Sequence, residues 1–143
     1  MQNKKVLKIF TDGAYSSSRD RGGIGVIVLD DKIHKYYHGY DRTTNNQMEL
    51  VAIIIALRYI TKSYDSIIIY SDSQYCIGCA TLGWQRKKNK KLWNEFDKQF
   101  KRVKELCSDI TFKHVRGHQN DDSEETMWNN MVDKLAVKAS QLI

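Results

Sequence analysis

Four acidic residues stand where an α/β chain places chemistry. Asp12 closes the strand-like run Lys5–Asp12 (KVLKIFTD), and Asp72 closes the apolar run Ser66–Ser71 (SIIIYS). If these runs are parallel neighbours, both carboxylates lie at one sheet edge, where open α/β sheets put their ligands. Glu49 lies in the first turn of a helical pattern that feeds the second run. A crossover helix runs antiparallel to the strand it feeds, so Glu49 arrives over the same edge. Asp133 lies in the opening turns of the last helical pattern, and His118 lies in the loop before it. Gathered carboxylates repel one another, and some stay protonated at pH 7 unless cations compensate. Oxygen-only donors favour Mg²⁺ or Mn²⁺ over Zn²⁺. Two such ions about 3.5–4 Å apart would balance the charge, activate a water and stabilise the leaving oxygen of an in-line phosphoryl displacement.

Taken singly, each acid has a plainer use. Asp12 precedes Gly13 and could serve only a turn. Glu49 could complete a capping box with Asn46. Asp72 could cap the helix after it. Asp133 flanks an apolar stripe and could face solvent. A lone His118 would be a surface loop residue. Four plain roles converging on one edge is the weaker explanation, because a basic patch lies nearby. Residues 84–104 hold nine Lys or Arg against Glu95 and Asp97, so this window carries the whole excess of a chain whose net charge is +6. Such a patch suits a polyanion, through counterion release. Trp84 and Trp93 flank it, suited to stacking on bases or to anchoring in the core.

The elements that must position these residues read in the order β-β-β-α-β-α-α-β-α. Lys5–Asp12, Ile24–Leu29 and Lys32–His38 read as an antiparallel meander. Helix-start signals at Thr43–Asn46 precede Leu50, Ile53, Ile54, Leu57 and Ile60 at helical spacing. Ser66–Ser71 reads as a strand buried on both faces. Ser73–Leu82 reads as a short helix, Asn89–Leu106 as a basic amphipathic helix and Asp109–Val115 as a strand. Trp128, Val132, Leu135, Ala136 and Ala139 mark the last helix. Strands alternating with helices predict an α/β fold, a five-stranded mixed sheet flanked by helices. At 143 residues, 41% apolar and 28% charged, the chain reads as one globular domain, residues 1–143, rather than a disordered or fibrous one. No apolar run is long enough to span a membrane, and the start turns polar too soon for a signal peptide. Pro is absent, which excludes Pro-rich linkers. Cys76, Cys79 and Cys107 are an odd number, pointing to a reducing, cytoplasmic setting. The Cys76-x-x-Cys79 pair reads as helix packing rather than a zinc or redox motif.

Thr11-Asp12-Gly13-Ala14, the block Thr43–Leu50 (TTNNQMEL), Ser71–Tyr75 (SDSQY) and Val115-Arg116-Gly117-His118 resemble the signature blocks of type I ribonuclease H, in order and over nearly the whole chain. The resemblance implies a ribonuclease H-like fold. It implies an endonuclease that hydrolyses the RNA strand of RNA–DNA hybrids with two Mg²⁺ ions, Mn²⁺ being a possible substitute, and leaves 5′-phosphate and 3′-hydroxyl ends. It implies Asp12, Glu49, Asp72 and Asp133 as metal ligands and His118 as an aid to product release or proton traffic. Asn45 and Gln74 would contact the hybrid in its minor groove, where amides meet 2′-hydroxyls. Gly13 and Thr44 would line the substrate path, and Trp84, Lys87, Lys88, Lys90 and Lys91 would form a basic protrusion on the DNA strand. Two departures stand out. The stretch from His118 to Asp133 is longer than the family pattern and acidic, and Asn130 stands where the family often has Glu. No separate hybrid-binding module, membrane or obligate protein partner is expected, and the chain is expected to be a monomer. Two rival readings use the same residues: a non-catalytic binder of hybrid or double-stranded RNA, and a nuclease or integrase that cuts DNA.

Overall fold

The fold is built around β1 (Val6–Ser16), whose alternating side chains supply both layers of the core. The computed structural model describes residues 5–116 and 121–142. β1 pairs antiparallel with β2 (Arg21–Leu29), which pairs antiparallel with β3 (Ile33–Asp41). On its other side β1 pairs parallel with β4 (Ser66–Ser71), and β4 pairs parallel with β5 (Ile110–His114). The sheet order is therefore β3-β2-β1-β4-β5. Strands β1, β4 and β5 are parallel, the one condition on which the gathering of the acids depended.

Four helices cover the sheet: α1 (Asn45–Arg58), α2 (Gln74–Thr81), α3 (Lys90–Leu106) and α4 (Glu124–Gln141). On one face Leu7, Ile9, Ile24, Val26, Ile67 and Ile69 pack with α1, α2 and α3. On the other, Phe10, Ile27 and Tyr70 pack with Val132 of α4. α1 is apolar on most sides because the sheet lies beneath it and α3 lies against it. Its β-branched run Ile53–Ile55 favours a strand by propensity. Burial of Ile53, Ile54 and Leu57 at helical spacing overrides that preference. α1 ends where Arg102 of α3 donates to the carbonyls of Leu57 and Ile60 at 2.8 Å each.

Several boundaries differ from the sequence reading: β2 opens at Arg21 rather than Ile24, and β3 runs to Asp41 rather than His38. β1 does not stop at Asp12-Gly13. Its parallel pairing with β4 ends at Phe10↔Tyr70, but its antiparallel pairing with β2 continues through Asp12↔Gly25 to Ser16↔Arg21. The last helix begins at Glu124, earlier than the apolar stripe suggests, so Glu124 and Glu125 are helix, while Asp121 and Asp122 precede it. Ser123 caps it by accepting the Thr126 N–H at 3.1 Å, and Glu124 and Glu125 then sit at the positive end of the helix dipole.

Candidate active site

Asp12 lies two residues beyond Phe10, and Asp72 two residues beyond Tyr70. Phe10 and Tyr70 are register partners whose rings stack 4.1 Å apart. The period-two alternation of a strand puts Asp12 on the face of Phe10, at the carboxyl edge of the parallel ladder. It is not a turn residue.

Glu49 reaches Asp12 because Gly13 has no side chain. A Cβ on Gly13 would stand 2.4 Å from both the Glu49 nitrogen and the Met48 carbonyl carbon. With hydrogen there instead, the start of α1 rests on β1, and the Gly13 N–H donates to Glu49 Oε1 at 3.1 Å. The cap of α1 is Thr44, whose hydroxyl accepts the Gln47 N–H at 3.1 Å, so Glu49 is not spent on a capping box. Likewise Ser73, not Asp72, caps α2, accepting the Cys76 N–H at 3.2 Å.

The turn that carries Asp72 is held from three sides. The Val115 N–H donates to the Ser71 carbonyl at 3.0 Å, the Ser73 N–H to Ser71 Oγ at 3.1 Å, and the His114 ring nitrogen Nε2 meets the Asp72 carbonyl at 3.1 Å. The sequence reading passed over His114. Its signal was its place as the last residue of β5, opposite Ser71.

Asp133 comes in on α4 by a second close approach. Gly25, the register partner of Asp12, lies under the helix backbone, and a Cβ there would stand 2.6 Å from the Val132 carbonyl oxygen. Asp133 is half-buried, and its carboxyl interacts with that of Asp12.

One oxygen each from Asp12, Glu49 and Asp72 lies within 4.8 Å of the others. Asp12 is 2% exposed and Glu49 4%. Burial, first, and then the charges of Glu49 and Asp72 push the Asp12 carboxyl far above the usual carboxylate range. Burial and then Asp72 do the same to Glu49. Asp12 Oδ2 and Glu49 Oε2 are buried without a hydrogen-bond partner among the described residues. Buried acceptors are ordinarily satisfied, and an ionised one left bare costs several kcal/mol. A hard divalent cation answers both the missing partners and the mutual repulsion, and this all-oxygen donor set fits one.

The RNase H family model matches residues 4–141. The chain belongs to the RNase H family. The ribonuclease H of Trichodesmium erythraeum is 36% identical to it over 98% of this chain and 92% of the relative. That of Syntrophus aciditrophicus is 38% identical over 85% and 76%. Among solved structures, that of the prototype foamy virus protease–reverse transcriptase shares the fold at a TM-score of 0.77 and 22% identity. The match covers 96% of this chain, which spans only 21% of that longer one. With RNase H membership comes the enzyme class, an endoribonuclease hydrolase.

The other candidate residues of this RNase H chain fall around the acids. Asn45 and Gln74 are the first residues of α1 and α2, both exposed. Thr44 is exposed beside Asn45, whereas Gly13 is buried, with its N–H turned to Glu49. The segment 82–89 joins α2 to α3 without an element of its own. Lys87 and Lys88 within it, and Lys90 and Lys91 just after it, are exposed. Trp84 is 45% exposed and lies against Gly78, while Trp93 is the core anchor at 3%. Arg86 faces inward, stacking over the Trp93 ring at 4.3 Å and gripping both Asp97 oxygens at 2.9 and 2.8 Å. His118 lies outside the described residues. Cys76, Cys79 and Cys107 are buried free thiols packed in the core. Among the described residues, no helix is long and apolar enough to cross a membrane.

Proposed function

We propose that this chain is a metal-dependent endonuclease that hydrolyses the RNA strand of RNA–DNA hybrids. The observation that carries the reading is the cluster of Asp12, Glu49 and Asp72, with two buried oxygens lacking partners, in a chain of the RNase H family. Asp12, Glu49, Asp72 and Asp133 would hold Mg²⁺, two ions to a site, with Mn²⁺ as a substitute. Bound there, the ions supply Lewis acidity and a water acidic enough to attack a phosphodiester in line. The protein's own part is orientation. Gly13 and the Ser71–Val115 bond hold two of the acids in place before substrate arrives. Asn45 and Gln74 present amides from the first positions of two helices, able to both donate to and accept from 2′-hydroxyls. Thr44 and the exposed lysines meet phosphates, and Trp84 offers a ring face to a sugar or base. Cleavage would leave 5′-phosphate and 3′-hydroxyl ends. His118 would aid product release. We further propose that residues 1–143 act as one catalytic domain and as a monomer, in a reducing cytoplasm that suits three free thiols.

The test is cleavage of an end-labelled RNA–DNA hybrid beside single-stranded RNA, double-stranded RNA and double-stranded DNA, with Mg²⁺ and with chelator. The expected result is Mg²⁺-dependent cutting of the hybrid's RNA strand alone. Cutting of double-stranded DNA would move the reading to a DNA nuclease. Tight hybrid binding without cutting in Mg²⁺ or Mn²⁺ would move it to a binding module.

A further inference from the structure

The lysine-bearing segment 82–89 is anchored to three different helices. Trp84 lies on Gly78 of α2, and Arg86 is held by Trp93 and Asp97 of α3. The third anchor is Gln47, half-buried in the first turn of α1. Its amide is used at both ends. Oε1 accepts the Thr43 hydroxyl at 3.0 Å, and Nε2 donates to Asn89 Oδ1 at 3.0 Å. Thr43 is itself buried, so the amide is braced from the β3–α1 corner. Among the described residues, this is the side-chain hydrogen bond that joins the segment to α1.

Asn89 is unusual in how it serves that bond. It precedes α3 in the left-handed region, at φ 63° and ψ 40°, and makes no side-chain cap to the helix. Asparagine at this position ordinarily turns its carbonyl oxygen onto the free N–H groups of the first turn. Here the oxygen faces Gln47 instead, and the backbone adopts a conformation that asparagine tolerates better than most residues. Lys87 and Lys88 lie just before Asn89, and Lys90 and Lys91 just after it. Asn45 lies two residues before Gln47. The bond therefore joins the two places at which the proposed substrate is gripped: the lysines, and the amide at the start of α1.

We propose that Gln47 is a positioning residue which, through Asn89, sets the spacing between the lysine segment and the Asn45 end of α1, so that one duplex engages both. The inference rests on the hybrid-binding reading above. Gln47 acts through other groups and does not itself contact the substrate. Without it, the lysines keep their charge but lose their place relative to Asn45.

The test compares the wild-type chain with Gln47→Met, of similar length without hydrogen bonds, and with Gln47→Ala. Each is also made in a background where Lys87 and Lys88 are changed to Gln. Both Gln47 variants should stay folded, melting about 2–6 °C lower for the lost internal hydrogen bonds. They should keep kcat and raise KM for the RNA–DNA hybrid about fivefold, the scale of one lost neutral hydrogen bond. The lysine changes should raise KM less in the Gln47 variants than in wild type, because misplaced lysines contribute less. Unchanged KM in both variants would overturn the tether. Gln47 and lysine penalties that multiply in full would overturn it too, since that is the mark of independent direct contacts. A wild-type chain that neither binds nor cuts the hybrid would overturn the functional reading, and the tether with it.

Discussion

Asp12, 2% exposed, has a buried carboxyl oxygen with no hydrogen-bond partner among the described residues, as does Glu49 beside it. Asp72 offers a carboxyl oxygen within 4.8 Å of those of Asp12 and Glu49, so Asp72→Asn should lower hybrid cleavage about 10²–10³-fold, the scale of losing one charge-stabilising group. Full activity would mean that Asp72 holds no ion. Stability should move the other way. The folded state raises the Asp12 carboxyl above its unfolded value, so the native chain keeps a proton that the unfolded chain has released above about pH 4. That contribution is complete below about pH 4 and is lost as the pH rises toward the folded value. Asp12→Asn removes the loss. In chelator at pH 8 the variant should melt about 3–5 °C higher than wild type, from ~1 kcal/mol, and the gap should close by pH 4. Added Mg²⁺ should raise the wild-type melting temperature and leave the variant's unchanged. Melts by circular dichroism across pH measure this, and no gain at pH 8 would mean that the acids do not strain the metal-free fold.

Between elements, distance is set by what is missing from glycine. Gly25 and Gly39 both lie under α4, and a Cβ would meet the Val132 oxygen at 2.6 Å in one case and the Ala139 oxygen at 2.5 Å in the other. Alanine at either should cost about 1–3 kcal/mol by overpacking, read in urea melts. Only Gly25 is beside Asp12, so Gly25→Ala should also lower the cleavage rate at saturating substrate, through Asp133, while Gly39→Ala should not. Equal activity loss in both would mean that α4 shifts as a rigid whole. Such close approaches explain what the sequence made legible at this scale and what it hid. The nine elements followed from residue patterning and turn signals, the shared edge of Asp12 and Asp72 from the ends of two parallel strands, and the approach of Glu49 from crossover geometry. The continuation of β1 to Ser16 was hidden because Asp12-Gly13 reads locally as a turn. It is tertiary contact, the β2 ladder on one side and α1 on the other, that keeps the backbone extended there. The early start of α4 was hidden because its first turn is stabilised by a cap and by charge rather than by an apolar stripe.

Over the whole molecule, the net charge is legible in the sequence, but the side chains free to use it are not. Three of the nine basic residues in the 84–104 window have internal partners, Lys104 donating to the Ser108 carbonyl at 3.3 Å. Arg86 is held by Trp93 and Asp97, and Arg102 by the carbonyls that end α1. The Ile60 and Leu57 carbonyls lie 42 and 45 residues from Arg102, so composition could not distinguish these arginines from the lysines around them. The two kinds of cation should separate in one experiment. Neutralising Lys87, Lys88, Lys90 and Lys91 should weaken hybrid binding and flatten its dependence on log salt by roughly 0.7–0.9 for each lysine that meets a phosphate, with turnover at saturation intact. Arg86→Ala should leave that slope unchanged and lower stability by about 1 kcal/mol, through the lost ring stacking and ion pair. Binding titrations at several salt concentrations, run beside thermal melts, measure both. A slope unchanged by the lysine changes would turn the exposed patch away from the substrate. A slope that falls with Arg86→Ala would mean that this arginine leaves Asp97 for a phosphate when the hybrid binds.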